Sequence, residues 1–86
     1  MKCAYQGNGR WEAEQFFAGL YRAMHEDYKP PLYRKIVYSG GRYIVMVSYT
    51  GWQEIHEGEF LVMDSNGETM IVQPEVFNAR FERIND

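Results

Sequence analysis

The chain is poor in the residues that most often announce a chemistry. A single cysteine, Cys3, excludes an internal disulfide framework and makes a reducing cytoplasm the simplest compartment. Soft metal ligands are confined to Cys3, His25 and His56, with no C-x-x-C or H-x-x-x-H spacing, so no metal is expected. No apolar run approaches the roughly 20 residues of a membrane-spanning helix, and no membrane partner is expected. The first residues, MKCAYQGNGRW, lack the apolar stretch of a secretory signal. The glycines at positions 7, 9, 40 and 41 do not fall into a phosphate-cradling pattern, so neither nucleotide motif nor cofactor site is read from them. Positive charge is in short supply as well. Nine Lys and Arg face twelve Asp and Glu, for a net charge of −3, which disfavours direct nucleic-acid binding.

What the chain has in quantity is apolar and aromatic surface. Of its 86 residues, 45% are apolar and 16% aromatic. That length forms one domain, residues 1–86, with no room for a second core. A domain of this size buries only roughly 60% of its unfolded surface, so dense aromatic packing or self-association would support it. Charge is segregated along the chain. Tyr28 to Gln53 holds four bases (Lys29, Arg34, Lys35, Arg42) and no acid, whereas Gly51 to Ala79 holds six acids and no base. On adjacent strands such charges pair across a sheet; on separate faces they make a basic patch and an acidic one.

Local patterns predict an α+β fold: one amphipathic helix packed on a curved antiparallel sheet of about five strands. Lys2 to Tyr5 reads as a short strand or an arm. Trp11, Phe17, Leu20, Tyr21 and Met24 approximate a helical stripe, which predicts a helix over Trp11–Asp27 ended by Lys29-Pro30-Pro31. The alternation in WEAEQF admits a strand as the alternative to this helix, which would then start near Phe17. Leu32–Ser39 and Arg42–Tyr49 read as strands joined by a Gly40-Gly41 turn. The second is apolar on both sides, as a central strand would be. Trp52–His56, Glu59–Met63 and Glu68–Val72 follow, the last two joined by an Asp64-Ser65-Asn66-Gly67 turn. Pro74–Asn78 is a short proline-started helical turn, and Phe81–Ile84 an edge strand.

The C-terminal third carries a resemblance. Glu57-Gly58-Glu59, Phe60-Leu61-Val62, Gly67-Glu68, Pro74-Glu75-Val76-Phe77 and Phe81-Glu82 resemble a pattern shared by small phage and prophage accessory proteins. Arg10–Phe17 resembles that group's early strand. Glu57 and Glu59 stand where the group usually has Pro and Asp. The resemblance implies a phage origin, hence a host-cell cytoplasm, and favours a strand at Glu12–Phe16. It brings no activity, because that group has none assigned.

Function is therefore read from surface chemistry. His25-Glu26 and His56-Glu57 are adjacent pairs, which do not face one another on a helix or strand, so no catalytic residue is assigned and no enzyme is expected. Tyrosine and arginine are enriched at protein-interface hot spots. Tyr33, Arg34, Lys35, Tyr38, Arg42 and Tyr43 are the candidate partner-binding residues. An alternative acidic surface comprises Glu54, Glu57, Glu59, Asp64 and Glu68. Together with the resemblance, these point to a non-catalytic phage-encoded binding protein. Its expected action is to inhibit or modulate a host protein, such as a defence-system component, by steric occlusion. The alternatives are a small-ligand or nucleotide-binding protein, with pockets between subunits of a homo-oligomer, and a phage structural or assembly component.

Overall fold

The segment Trp11–Gln15 is a strand, not the start of a helix. In the computed structural model, which describes residues 1–17, 19–20, 32 and 36–84, it forms the second half of strand β2, Asn8–Gln15. A stretch of five residues fits periods of 2 and 3.6 almost equally; long-range pairing decides between them. β2 bonds antiparallel to β1 (Lys2–Tyr5) on one side and to β6 (Phe60–Met63) on the other. β1 pairs with the first part of the strand and β6 with the last, the two overlapping at Glu12, and Trp11 and Ala13 turn together onto one face. The continuation of the predicted helix beyond Leu20 lies outside the described residues.

The strands form two antiparallel sheets in place of one. The larger runs β7-β6-β2-β1-β8, where β7 is Thr69–Val72 and β8 is Phe81–Arg83. The smaller runs β3-β4-β5, spanning Ile36–Ser39, Arg42–Val47 and Gly51–Ile55. One short helix, α1 (Pro74–Arg80), completes the described elements.

Turn chemistry explains most of the chain reversals. Gly40 and Gly41 both take positive φ (59° and 77°), as a two-residue turn matched to strand twist requires. Gly58, at φ 89°, occupies the third position of a turn closed by the Glu59 N–H donating to the His56 carbonyl at 3.0 Å. In the β6–β7 turn only Gly67 of the Asn-Gly pair takes positive φ. The Asp64 carboxylate organises that turn, accepting from the Asn66 and Glu68 N–H groups at 2.8 and 3.0 Å. Pro74 opens α1 at its first position, where a missing N–H is harmless.

Burial divides at the larger sheet. β6 is apolar on both faces, because each face has its own core. Phe60 and Val62 join Cys3, Ala13, Val72, Phe77 and Phe81 in one cluster. Its rings are contiguous: Phe77 stacks on Phe60 at 3.8 Å and on Phe81 at 4.9 Å, and Phe81 meets Tyr5 and Trp11 at 5.1 and 5.4 Å. Leu61 faces the other way, into a second cluster with Phe16, Leu20, Val45, Val47 and Ile55. That second cluster lies between the two sheets. At its margin Ser48 and Thr69 bond reciprocally: the Ser48 N–H donates to Thr69 Oγ1 at 3.0 Å and the Thr69 N–H to Ser48 Oγ at 2.9 Å. This pair fastens the end of β4 to the start of β7.

Candidate functional site

Register alone assigns the faces of the smaller sheet. Residues opposite one another on neighbouring strands share a face. Tyr43, Val45 and Val47 of β4 lie with Ile36 and Ile55 and point to the core. Ile44 and Met46 point outward with Val37 on β3 and Trp52 on β5; Met46 is directly opposite Trp52. Val37 (44%), Met46 (40%) and Trp52 (49%) keep large fractions of their surface in water, and Ile44 is half-buried between them. These side chains form one contiguous apolar face on a three-stranded sheet. The predicted central strand β4 is thus covered on its inner side and open on its outer side.

The predicted binding residues divide. Tyr33, Arg34 and Lys35 lie outside the described residues. Tyr43 belongs to the core side, its ring 5.1 Å from Phe16 and 4.8 Å from the half-exposed Tyr38. Arg42 points outward, beside the apolar face, with its Nε 3.8 Å from the Glu54 carboxylate across the β4–β5 pair. At this position the basic and acidic blocks meet as a cross-strand pair, not as two separate patches.

The acidic set is likewise divided. Glu59 is interior, at 6% exposure. One carboxylate oxygen accepts from the His56 N–H and lies 3.0 Å from His56 Nδ1; the other accepts from Gln73 Nε2. Gln73 precedes Pro74 and makes no side-chain cap, because its amide is committed to Glu59. Glu59 therefore ties the turn after β5 to the start of α1, a structural duty that an acid count along the sequence misassigns to the surface. His56 also stands 3.5 Å from Glu54. A cavity of about 200 Å³ opens beside Phe16, Arg42, Tyr43, Glu54 and His56, so residues of both predicted sets share its wall. Among the described residues no three His, Cys, Asp or Glu side chains group to hold a metal.

Asp64 and Glu68 sit at the opposite end, where the β6–β7 turn faces the β4–β5 turn across a groove of about 380 Å³. Tyr49 projects there with 90% of its surface in water. It occupies the centre of a three-residue turn, closed by the Thr50 N–H donating to the Ser48 carbonyl at 2.8 Å, with φ +68°. The positive-φ form of this turn is the rarer and more strained one. The nearby Glu68 carboxylate pushes the Tyr49 phenol's pKa up, with a smaller push from Asp64. Cys3, buried in the aromatic cluster, has its thiol pKa raised by desolvation.

Sequence reasoning did not single out Val37, Met46, Tyr49 or Trp52 as site residues. The signal for Met46 was present, since RYIVMVSY is apolar at consecutive positions and one of its faces had to lie outward or be covered. Nothing local marked Trp52 as facing the same way, because that follows from the β4–β5 register. Comparison with family models, with curated proteins and with solved structures found no match to this chain.

Proposed function

We propose that this chain is a phage-encoded, non-catalytic binding protein that inhibits or modulates a host protein, a component of a defence system, by covering its working surface. The origin rests on the C-terminal resemblance. The observation that carries the docking role is the outward apolar face of the smaller sheet, Val37, Ile44, Met46 and Trp52, with the Arg42–Glu54 pair beside it. Contiguous apolar surface that stays in water is a recurrent mark of protein-interaction sites. Trp and Arg together supply the anchor types that dominate interface energetics. The partner is accordingly a protein with an apolar patch of matching size and mixed charge at its margin. Occlusion needs no reactive group on this chain, only a rigid face, and a sheet supplies one.

The test pairs capture with surface variants. Wild-type chain is used to capture partners from host lysate, and any protein recovered is purified and its affinity measured for wild type, Met46→Lys and Trp52→Ser. The proposal expects both variants to melt close to wild type and to bind at least tenfold more weakly. Unchanged affinity in both variants overturns the docking face. A melting shift of the isolated chain with nucleotides, and no protein captured, favours a small-ligand binder instead.

A further inference from the structure

The groove at the end of the smaller sheet has a floor and a rim of different chemistry. Its apolar lining includes Val47 and Ile71, which face the inter-sheet cluster. Its rim carries the Asp64 and Glu68 carboxylates and the exposed ring of Tyr49, and among the described residues no Lys, Arg or His lines it. The same two carboxylates push the Tyr49 phenol's pKa up, Glu68 the more strongly. At about 380 Å³ the space lies at the small end of the roughly 300–1,000 Å³ typical of ligand pockets. It suits a side chain better than a nucleotide, whose phosphates would also meet carboxylates of like sign.

We propose that this groove seats a lysine or arginine side chain presented by a docked protein. Such a side chain has the two-part chemistry the groove presents. Its alkyl stem lies along Val47 and Ile71, and its charged head reaches the rim. There the head meets Glu68 and Asp64, and the face of Tyr49 supplies cation–π attraction. The strained turn at Tyr49 holds the ring out over the groove, where it packs against little of its own chain. The groove begins at the β4–β5 turn, directly beyond the strands that carry Met46 and Trp52, so one partner can span both surfaces. The biological occupant rests on the docking reading above; the preference for a cationic side chain does not.

The test therefore uses the isolated chain and small probes. Tripeptide amides Ac-Gly-Lys-Gly and Ac-Gly-Arg-Gly, with Ac-Gly-norleucine-Gly as the uncharged control, are titrated while backbone amide shifts are followed by nuclear magnetic resonance. Saturable shifts at Tyr49, Thr50, Glu68 and Thr69 are expected for the charged peptides only, weakening with added salt. Glu68→Gln and Tyr49→Ala should each lower the affinity severalfold, whereas Glu75→Gln, on α1 away from the groove, should leave it unchanged. Equal shifts with norleucine, shifts scattered over other carboxylates, or no saturable shift at these four residues overturns the proposal. None of those results bears on capture of a partner by the Met46–Trp52 face, so the two readings fail separately.

Discussion

Two surfaces built from similar residues have opposite fates in this molecule. On one side of the larger sheet, Tyr5, Trp11, Phe60, Phe77 and Phe81 form a continuous train of rings, closed by Phe77 from α1 and Phe81 from β8. On the outer side of the smaller sheet, Val37, Met46 and Trp52 remain in water. Hydrophobicity alone does not distinguish the two. The difference is topological: the chain returns after β7 to cover the first face, and Pro74 starts the helical turn that delivers Phe77. The first surface is buried and stabilises the domain together with the inter-sheet core; the second, left in water, contributes less to folding. Under the proposed docking role, aromatic content splits into a folding share and a binding share, and the split can be measured.

The sharpest break is between Phe77→Ala and Trp52→Ala. Removing Phe77 empties a buried ring site that stacks on two neighbours, so a loss of about 3–5 kcal/mol is expected by denaturant unfolding, enough to leave a small domain largely unfolded. Trp52→Ala should cost less than about 1 kcal/mol, because about half of its surface is in water already. Comparable losses in the two variants would erase the proposed division. Next in size is Glu59→Ala. It removes the acceptor shared by the His56 N–H and the Gln73 amide, both of which can turn to water, and should cost about 1 kcal/mol. Glu57→Ala, two residues earlier in the same turn and exposed, is the control expected to change little.

A smaller effect, of opposite sign, is expected at Tyr49. Glycine relieves the positive-φ strain, worth about 1–2 kcal/mol, against an entropic penalty of about 0.5–1 kcal/mol in the unfolded chain. Tyr49→Gly should thus raise stability by about 0.5 kcal/mol, visible as a slight rise in melting temperature. The same substitution is expected to weaken binding of a cationic side chain, so stability and binding move in opposite directions at one residue. The closed side offers a last check without changing fold energetics. The Cys3 thiol is fully buried and its pKa is raised, so its thiolate is scarce near neutral pH. Thiol labelling of the native protein should proceed only through unfolding and accelerate steeply with denaturant, whereas prompt labelling would show that the aromatic cluster is open.

Much of this architecture is legible in the sequence where a local device fixes the backbone. The Gly40-Gly41 turn, the reversal at Gly58, the Asp64–Gly67 turn and the proline start at Pro74 all lie where turn chemistry places them. The strands between them follow. What local pattern does not carry is the choice among distant partners. Trp11–Gln15 satisfies two periods, and only pairing with β1 and β6 makes it a strand. The two sheets are joined where the end of β4 meets the start of β7 through Ser48 and Thr69, two residues unremarkable in sequence. Glu59 reads as one more surface acid because its partner Gln73 is fourteen residues away. The candidate site suffers most, since facing Met46 against Trp52 takes the register of a hairpin, and register is a property of two strands together.

The central claim is that the outer face of the smaller sheet is the surface that meets a partner. Oxidative footprinting read by mass spectrometry addresses it directly, because Met46 and Trp52 are oxidisable and exposed, and Trp11, half-buried against the aromatic cluster, is an internal reference. Met46 and Trp52 should oxidise readily in the free chain and become protected in the captured complex, with Trp11 unchanged. Full oxidation of Met46 and Trp52 in a complex shown to be saturated would contradict the account.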